Sequence, residues 1–132
     1  MKQPPIMKIE TDYFDREQYK IDAYADTAIT VNGISHTSSL IITPGRLIPG
    51  WDPRELADIA TQHIDELIRL RPEIIILGTG RQTRFPAPEI IAGIFEHQIG
   101  FEVMDTGAAC RCYNLLLGEN RKVAAGLIIP AE

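Results

Sequence analysis

The sequence predicts an α/β fold: a single layered domain with a mixed central sheet, a β-α-β-α-β C-terminal half and an N-terminal β-hairpin or meander. Three observations predict it. Ile74-Ile75-Ile76-Leu77 is an unbroken apolar run between Pro72-Glu73 and Gly78. A run that short and that rich in β-branched residues reads as a strand covered on both faces, the usual condition at the centre of an α/β sheet. Two more short apolar segments, 101–104 and 123–129, follow it with helical spacing in between. Near the other end, Asn32-Gly33 lies between alternating segments and is the strongest hairpin signal in the chain.

Taken in order, Ile6-Met7-Lys8-Ile9 is a short candidate strand and residues 11–17 a charged turn. Residues 18–23 alternate Tyr19 and Ile21 against Lys20 and Asp22, as a half-buried strand does. Residues 28–31 continue the pattern, 35–43 return from the hairpin, and Pro44-Gly45 forces a turn. Residues 47–51 read as a connector. Asp52-Pro53-Arg54-Glu55 then looks like a helix start, with Asp52 as cap and Pro53 in the first position. Leu56, Ile59, Ala60, Ile64, Leu67 and Ile68 give that helix one apolar stripe, His63 falls at its boundary, and Thr61 is a second possible cap that would divide it into two pieces. A helix from Pro88 is expected to bury Ile90, Ile91, Ile94 and Phe95 and to stop at Gly100. A third runs through 108–117, with Gly118 as its C-cap. Strand–helix–strand–helix–strand with short connections implies a parallel core.

With 132 residues, one domain can bury roughly two-thirds of its unfolded surface. A hydrophobic fraction of 45% and a charged fraction of 23% are those of a globular protein. The formal charge of −5 argues mildly against a nucleic-acid partner, which needs clustered Lys and Arg, and leaves the local clusters Arg69/Arg71 and Arg81/Arg84 as candidate anion contacts. No apolar stretch reaches the roughly 20 residues of a membrane span, and the first residues resemble neither a signal peptide nor a mitochondrial presequence. A bacterial cytoplasmic protein is the simplest expectation. Cys110 and Cys112 would lie about 200° apart on a helix, so neither a disulfide between them nor a metal site is expected.

Ligands of an open α/β sheet favour the crevice beyond the carboxyl ends of its strands. Two loops should meet there: Gly78-Thr79-Gly80-Arg81-Gln82, and Asp105-Thr106-Gly107-Ala108, which opens onto a helix N-terminus with Arg111 one turn in. That is a reasonable place for a phosphate or carboxylate. The competing reading is structural: Gly78 and Gly80 permit a turn and Thr106 caps a helix. No third glycine of a dinucleotide fingerprint and no P-loop lysine follows, so no cofactor is expected. Were there catalysis, Asp105, Thr106 and Arg81 would be its candidates. The hydroxyl-rich Ser35-His36-Thr37-Ser38-Ser39 reads more simply as the solvated face of a hairpin strand.

Arg71-Pro72-Glu73 leading into 74–80, Met104-Asp105-Thr106-Gly107-Ala108-Ala109-Cys110-Arg111, Tyr113-Asn114-Leu115-Leu116 and Glu119-Asn120-Arg121-Lys122-Val123-Ala124-Ala125 resemble a family of small domains that includes the mitochondrial respiratory complex I assembly factor three. The resemblance covers residues 6–130 and carries over Gly78, Thr79, Gly80, Thr106, Gly107, Asn114 and Arg121. It implies a layered α/β domain and a non-enzymatic module that works with protein partners at the inner membrane. Two readings follow. In the first the chain is an assembly module with an exposed apolar patch around Leu47, Ile48 and Trp51, contacting a partner or a second copy; a core position is the competing explanation for Trp51. In the second it binds a small anion, or acts as an enzyme, through Gly78, Thr79, Gly80, Arg81, Thr106, Gly107 and Arg111.

Overall fold

The strands of the central sheet send alternate side chains into two separate apolar layers, and this alternation organises everything else. In the computed structural model, which describes residues 18–131, five strands are ordered β5(Arg46–Pro49)–β4(Leu40–Thr43)–β8(Val123–Leu127)–β6(Ile74–Gly78)–β7(Gly100–Met104). β6 runs parallel to β7 and β8, while β4 is antiparallel to both β8 and β5. The sheet is therefore mixed, as expected. β8 occupies its middle and β6 lies beside it. The segments expected at 6–9 and 11–17 lie outside the described residues.

Leu40, Ile42, Ile76, Val123, Ala125 and Leu127 face one layer. It is closed by α3(Thr106–Gly118) and by a three-stranded antiparallel meander, β1(Ile21–Ala25), β2(Ala28–Val31) and β3(Ile34–His36). Ile41, Ile75, Leu77 and Ala124 face the other layer, beneath α1(Thr61–Ile68) and α2(Pro88–Glu96). A sheet buried on both faces needs continuous apolar runs rather than alternation, which is why 74–77 and 123–125 read as they do.

The β2–β3 turn forms as expected, with Asn32 at φ 47° and Gly33 at φ 86°, the two left-handed positions of a tight hairpin turn. Asn32 does more than turn. Its side chain accepts from Lys20 N at 2.9 Å and donates to Gln18 O at 3.1 Å, clamping the chain entering β1.

Several expectations are corrected. Residues 35–43 do not form one strand. They break at Thr37-Ser38-Ser39 and pass from the meander into the central sheet. Ser39 is buried at the crossing, where its hydroxyl donates to Pro53 O at 2.5 Å and accepts from Ile129 N at 2.9 Å. Residues 47–51 are not a connector: the Pro44-Gly45 turn folds Arg46–Pro49 back onto β4 as an edge strand. No helix starts at Asp52. A single 3₁₀ turn covers Leu56–Asp58, and Asp58 rather than Asp52 accepts the orphan N–H groups of Arg54 and Glu55, at 3.0 and 3.3 Å. α1 begins separately at Thr61, so the two-piece reading holds. Its cap is not Thr61; His63 Nδ1 accepts from Ala60 N at 2.9 Å. That role takes His63 off the surface, leaving it 6% exposed and edge-on to Trp51. α2 buries Ile94, but Phe95 is 59% exposed. Gln98, at φ 58°, supplies the left-handed residue after α2, and Gly100 already belongs to β7. α3 continues through Gly118, and Asn120 at φ 62° makes the reversal.

Candidate functional site

Gly78 has no side chain because the first turn of α3 sits directly on it. A Cβ there would lie 3.0 Å from Thr106 Cα and 3.0 Å from Ala109 Cβ. That close approach brings together the two loops expected at the crevice. Gly80, at φ +94°, turns the backbone beneath Thr106. Thr106 N donates to Gly80 O at 2.8 Å, and Gly80 N donates back to Thr106 Oγ1 at 2.8 Å. The same hydroxyl donates to Ile128 O at 2.7 Å. One buried threonine thus staples the ends of β6 and β8 to α3, with both donor and acceptor capacity in use. Its role is not the helix cap assigned to it from sequence. Asp105 is the cap, accepting from Ala108 N at 2.8 Å.

The staple divides the crevice in two. On one side is a cavity of about 210 Å3 bounded by Tyr24, Asp26, Gly80, Arg81, Asp105, Thr106, Gly107 and Arg111. Five of the seven residues expected to bind a ligand meet here. Their polar groups are engaged with the chain itself. Arg81 Nε pairs with Asp26 at 3.3 Å. The Arg111 guanidinium donates to the Tyr24 hydroxyl and lies 5.7 Å from the centre of that ring. The Asp105 carboxylate occupies the helix N-terminus, where an anion would otherwise sit. Gly107 is covered by Tyr24, whose ring Cε2 would stand 2.8 Å from a Cβ at that position.

On the other side is an open cleft of about 780 Å3. One wall is Arg54-Glu55-Leu56-Ala57 and the other is the loop from Thr79 to Ala87. Ile59, Ile90, Ile128 and Pro86 form an apolar floor, and Phe85 stands on the lip, 76% exposed. Thr79 shapes the loop from behind: its hydroxyl donates to Gln82 O at 2.5 Å and accepts from Arg84 N at 3.1 Å. Arg84 Nη2 donates to Gln82 Oε1 at 3.0 Å. Among the described residues, neither Arg54 nor Arg84 forms an ion pair. Sequence reasoning found Arg81, named Arg84 only as its neighbour in a basic cluster, and passed over Arg54 and Phe85. The signal available was Arg81-Gln82-Thr83-Arg84-Phe85-Pro86 directly after a strand; Arg54 was hidden inside a misplaced helix.

The expected patch around Leu47, Ile48 and Trp51 is not an exposed one. Trp51 is 5% exposed, packs on Gly126 and donates its indole N–H to Glu66 Oε1 at 2.8 Å. A Cβ at Gly126 would lie 2.6 Å from the indole Cη2, so strand β8 needs glycine there to admit the ring. Leu47 and Ile48 are half-buried, one packing on each apolar layer. Asn114 and Arg121 hold elements together. The Asn114 amide accepts from Ile21 N at 3.1 Å and donates to Ile21 O at 2.7 Å, fastening the meander to α3. Arg121 Nε meets Glu73 Oε1 at 2.8 Å and holds that carboxyl below its ordinary pKa. Burial pushes the Cys110 thiol up to about 12, and burial with the nearby Glu102 carboxylate raises Cys112. Both shifts oppose thiolate formation.

Related proteins match this chain over most of its length. The 13 kDa major membrane protein of Francisella tularensis subsp. holarctica is 36% identical over 122 residues, 92% of this chain and 94% of that protein. NADH dehydrogenase [ubiquinone] 1 alpha subcomplex assembly factor 3 of Bos taurus is 30% identical over 112 residues, covering 83% of this chain; the match spans 60% of that longer protein. A crystal structure of a Bordetella parapertussis protein superposes with a TM-score of 0.80 at 32% identity, covering 85% of this chain and 96% of that one. The family described as protein of unknown function (DUF498/DUF598) matches residues 21–128. That match runs from the first residue of β1 to just beyond β8, and the chain belongs to the DUF498/DUF598 family.

Proposed function

We propose that the chain is a protein-binding assembly module whose partner docks along β7. One observation carries the reading: among the described residues β7 is an open sheet edge, with the exposed aromatic ring of Phe95 beside it. On one face Phe95, 59% exposed, stands edge-on to Phe101 of β7 at a centroid distance of 6.2 Å. On the other, Cys112 lies near Glu102 of β7, and Leu115, 63% exposed, stands one turn further along α3 on its outer face. An open edge offers unpaired N–H and C=O groups to an incoming strand. The opposite edge is defended differently, since β5 carries Arg46 and Pro49; proline and charge are common ways to blunt an edge. On β7 the only charge is Glu102.

The relatives favour the same reading. One is named as an assembly factor of NADH dehydrogenase and one as a major membrane protein. Among the described residues no helix is long and apolar enough to cross a membrane. In this reading membrane association runs through the partner, with this chain peripheral to it. Phe95→Glu with Leu115→Glu tests the assignment, because both side chains are exposed and the pair should leave the melting temperature within a few degrees. The tagged chain would be used to capture partners from gently solubilised membranes of its source organism, quantified by mass spectrometry. Subunits of a membrane complex recovered by the unmodified chain and lost by the variant are expected. The same set recovered by both would refute β7 as the docking surface.

A further inference from the structure

We propose that the arginine-rimmed cleft holds an acidic segment of a partner protein, with carboxylates on its two walls and an apolar side chain on its floor. This rests on the reading of the chain as a protein-binding module, and adds a second surface to it. The argument begins with charge. The chain carries a formal charge of −5, yet Arg54 stands on one wall of the cleft and Arg81 and Arg84 on the other, with Glu55 the only carboxylate lining it among the described residues. Arg81 has a carboxylate partner at Asp26; Arg54 and Arg84 have none among the described residues. A guanidinium makes its strongest hydrogen bonds with a carboxylate or phosphate in bidentate geometry.

The floor chooses between kinds of anion. A site built for a small phosphate presents inward main-chain N–H groups, whereas here Gly80 N is spent on Thr106 and the Thr79 hydroxyl on Gln82. What remains at the bottom is apolar: Ile59, Ile90 and Ile128. Cations on opposite walls of an apolar trough match an extended segment with acidic residues flanking a Leu or Phe, whose side chain could reach the floor beside Phe85. Such a segment neutralises both walls at once.

The test is selection of displayed random 12-residue peptides on the intact chain, followed by fluorescence anisotropy of the selected peptides. Enrichment of peptides with two or more Asp or Glu around an apolar residue is expected. Arg54→Glu with Arg84→Glu, checked to melt as the unmodified chain does, should weaken the best peptide at least tenfold, and replacing the peptide's acidic residues by Lys should restore much of that loss. Selection without an acidic bias, or peptides indifferent to the arginine pair, would overturn the proposal. So would inorganic pyrophosphate raising the melting temperature through the same arginines with no peptide bound, which would make the occupant a small anion. Failure here is separable from failure of the β7 surface. Partners lost by the Phe95 and Leu115 pair but kept by the arginine pair would overturn the cleft alone. A peptide bound through the arginines, with partner capture unaffected by the Phe95 and Leu115 pair, would overturn β7 alone.

Discussion

The small cavity and the open cleft share the loop after β6, and they differ in what the chain has already done with their charges. Beside α3, Asp26 neutralises Arg81, Tyr24 holds Arg111, and Asp105 fills the helix N-terminus. Across the Thr106 staple, Arg54 and Arg84 stand at the rim of an apolar trough without such partners among the described residues. The residues that looked most like an anion site from sequence are the ones whose charged groups already have partners within the chain. The difference teaches that a helix N-terminus and nearby arginines define a site only when the chain's own carboxylates stay away.

The largest effect should come from removing the wall between the two. Thr106→Val keeps the shape of the side chain but strands Gly80 N–H and Ile128 C=O in the interior. At about 1–3 kcal/mol for each unsatisfied group, a loss of roughly 2–6 kcal/mol is expected, read as a fall in melting temperature of about 10 °C. A loss below about 1 kcal/mol would mean the staple is not what holds the loops together.

Asp105→Ala sharpens the contrast next. Losing the N-cap should cost about 1 kcal/mol, and it vacates the anion position at α3. Phosphate should then restore part of the stability of the variant while leaving the unmodified chain unmoved, as ligand linkage requires. Equal phosphate responses in both chains would show that Asp105 does not fill the position. In the cleft, Arg84→Gln should change stability by no more than about 0.5 kcal/mol, since the side chain is exposed and its hydrogen bond goes to Gln82, a neighbour in its own loop. A larger loss would give Arg84 a structural duty and weaken the case for it as a contact residue.

The smallest effect belongs to the surface pair Glu73–Arg121, remote from both cavities. Because the folded state holds the Glu73 carboxyl below its ordinary value of 4.5, its contribution is present above that range and fades as the pH falls through the lowered folded value. Glu73→Gln should flatten the acid limb of the stability profile slightly and alter little at neutral pH. The pair is about half exposed, so solvent screening keeps the effect small.

Much of the fold was legible because continuous apolar runs and helical stripes are local properties. The run at 74–77 announces a strand buried on both faces, and Asn32-Gly33 announces its hairpin. What could not be read depends on partners distant in the chain. Ser39 interrupts a strand because its hydroxyl finds Pro53 and Ile129, the second 90 residues away. Trp51 is interior because Gly126 leaves room for its ring. Asp105 and Thr106 are adjacent and both suited to capping; only the position of Gly80 and Ile128 assigns the cap to one and the staple to the other. The arginines of the cleft come from segments far apart in the chain: Arg54 precedes a helical segment whose true boundaries are set by Asp58 and His63 rather than by Asp52, and Arg81 and Arg84 follow β6.

The most direct test of the central claim, that this chain works by docking partner proteins, is amide hydrogen exchange on the chain alone and in complex with a captured partner. The account predicts slowed exchange at the outward-facing amides of β7 and in the loop from Arg81 to Ala87, with the β1–β3 meander unchanged. Protection confined to the meander or to β5, with β7 exchanging as it does in the free chain, would contradict it.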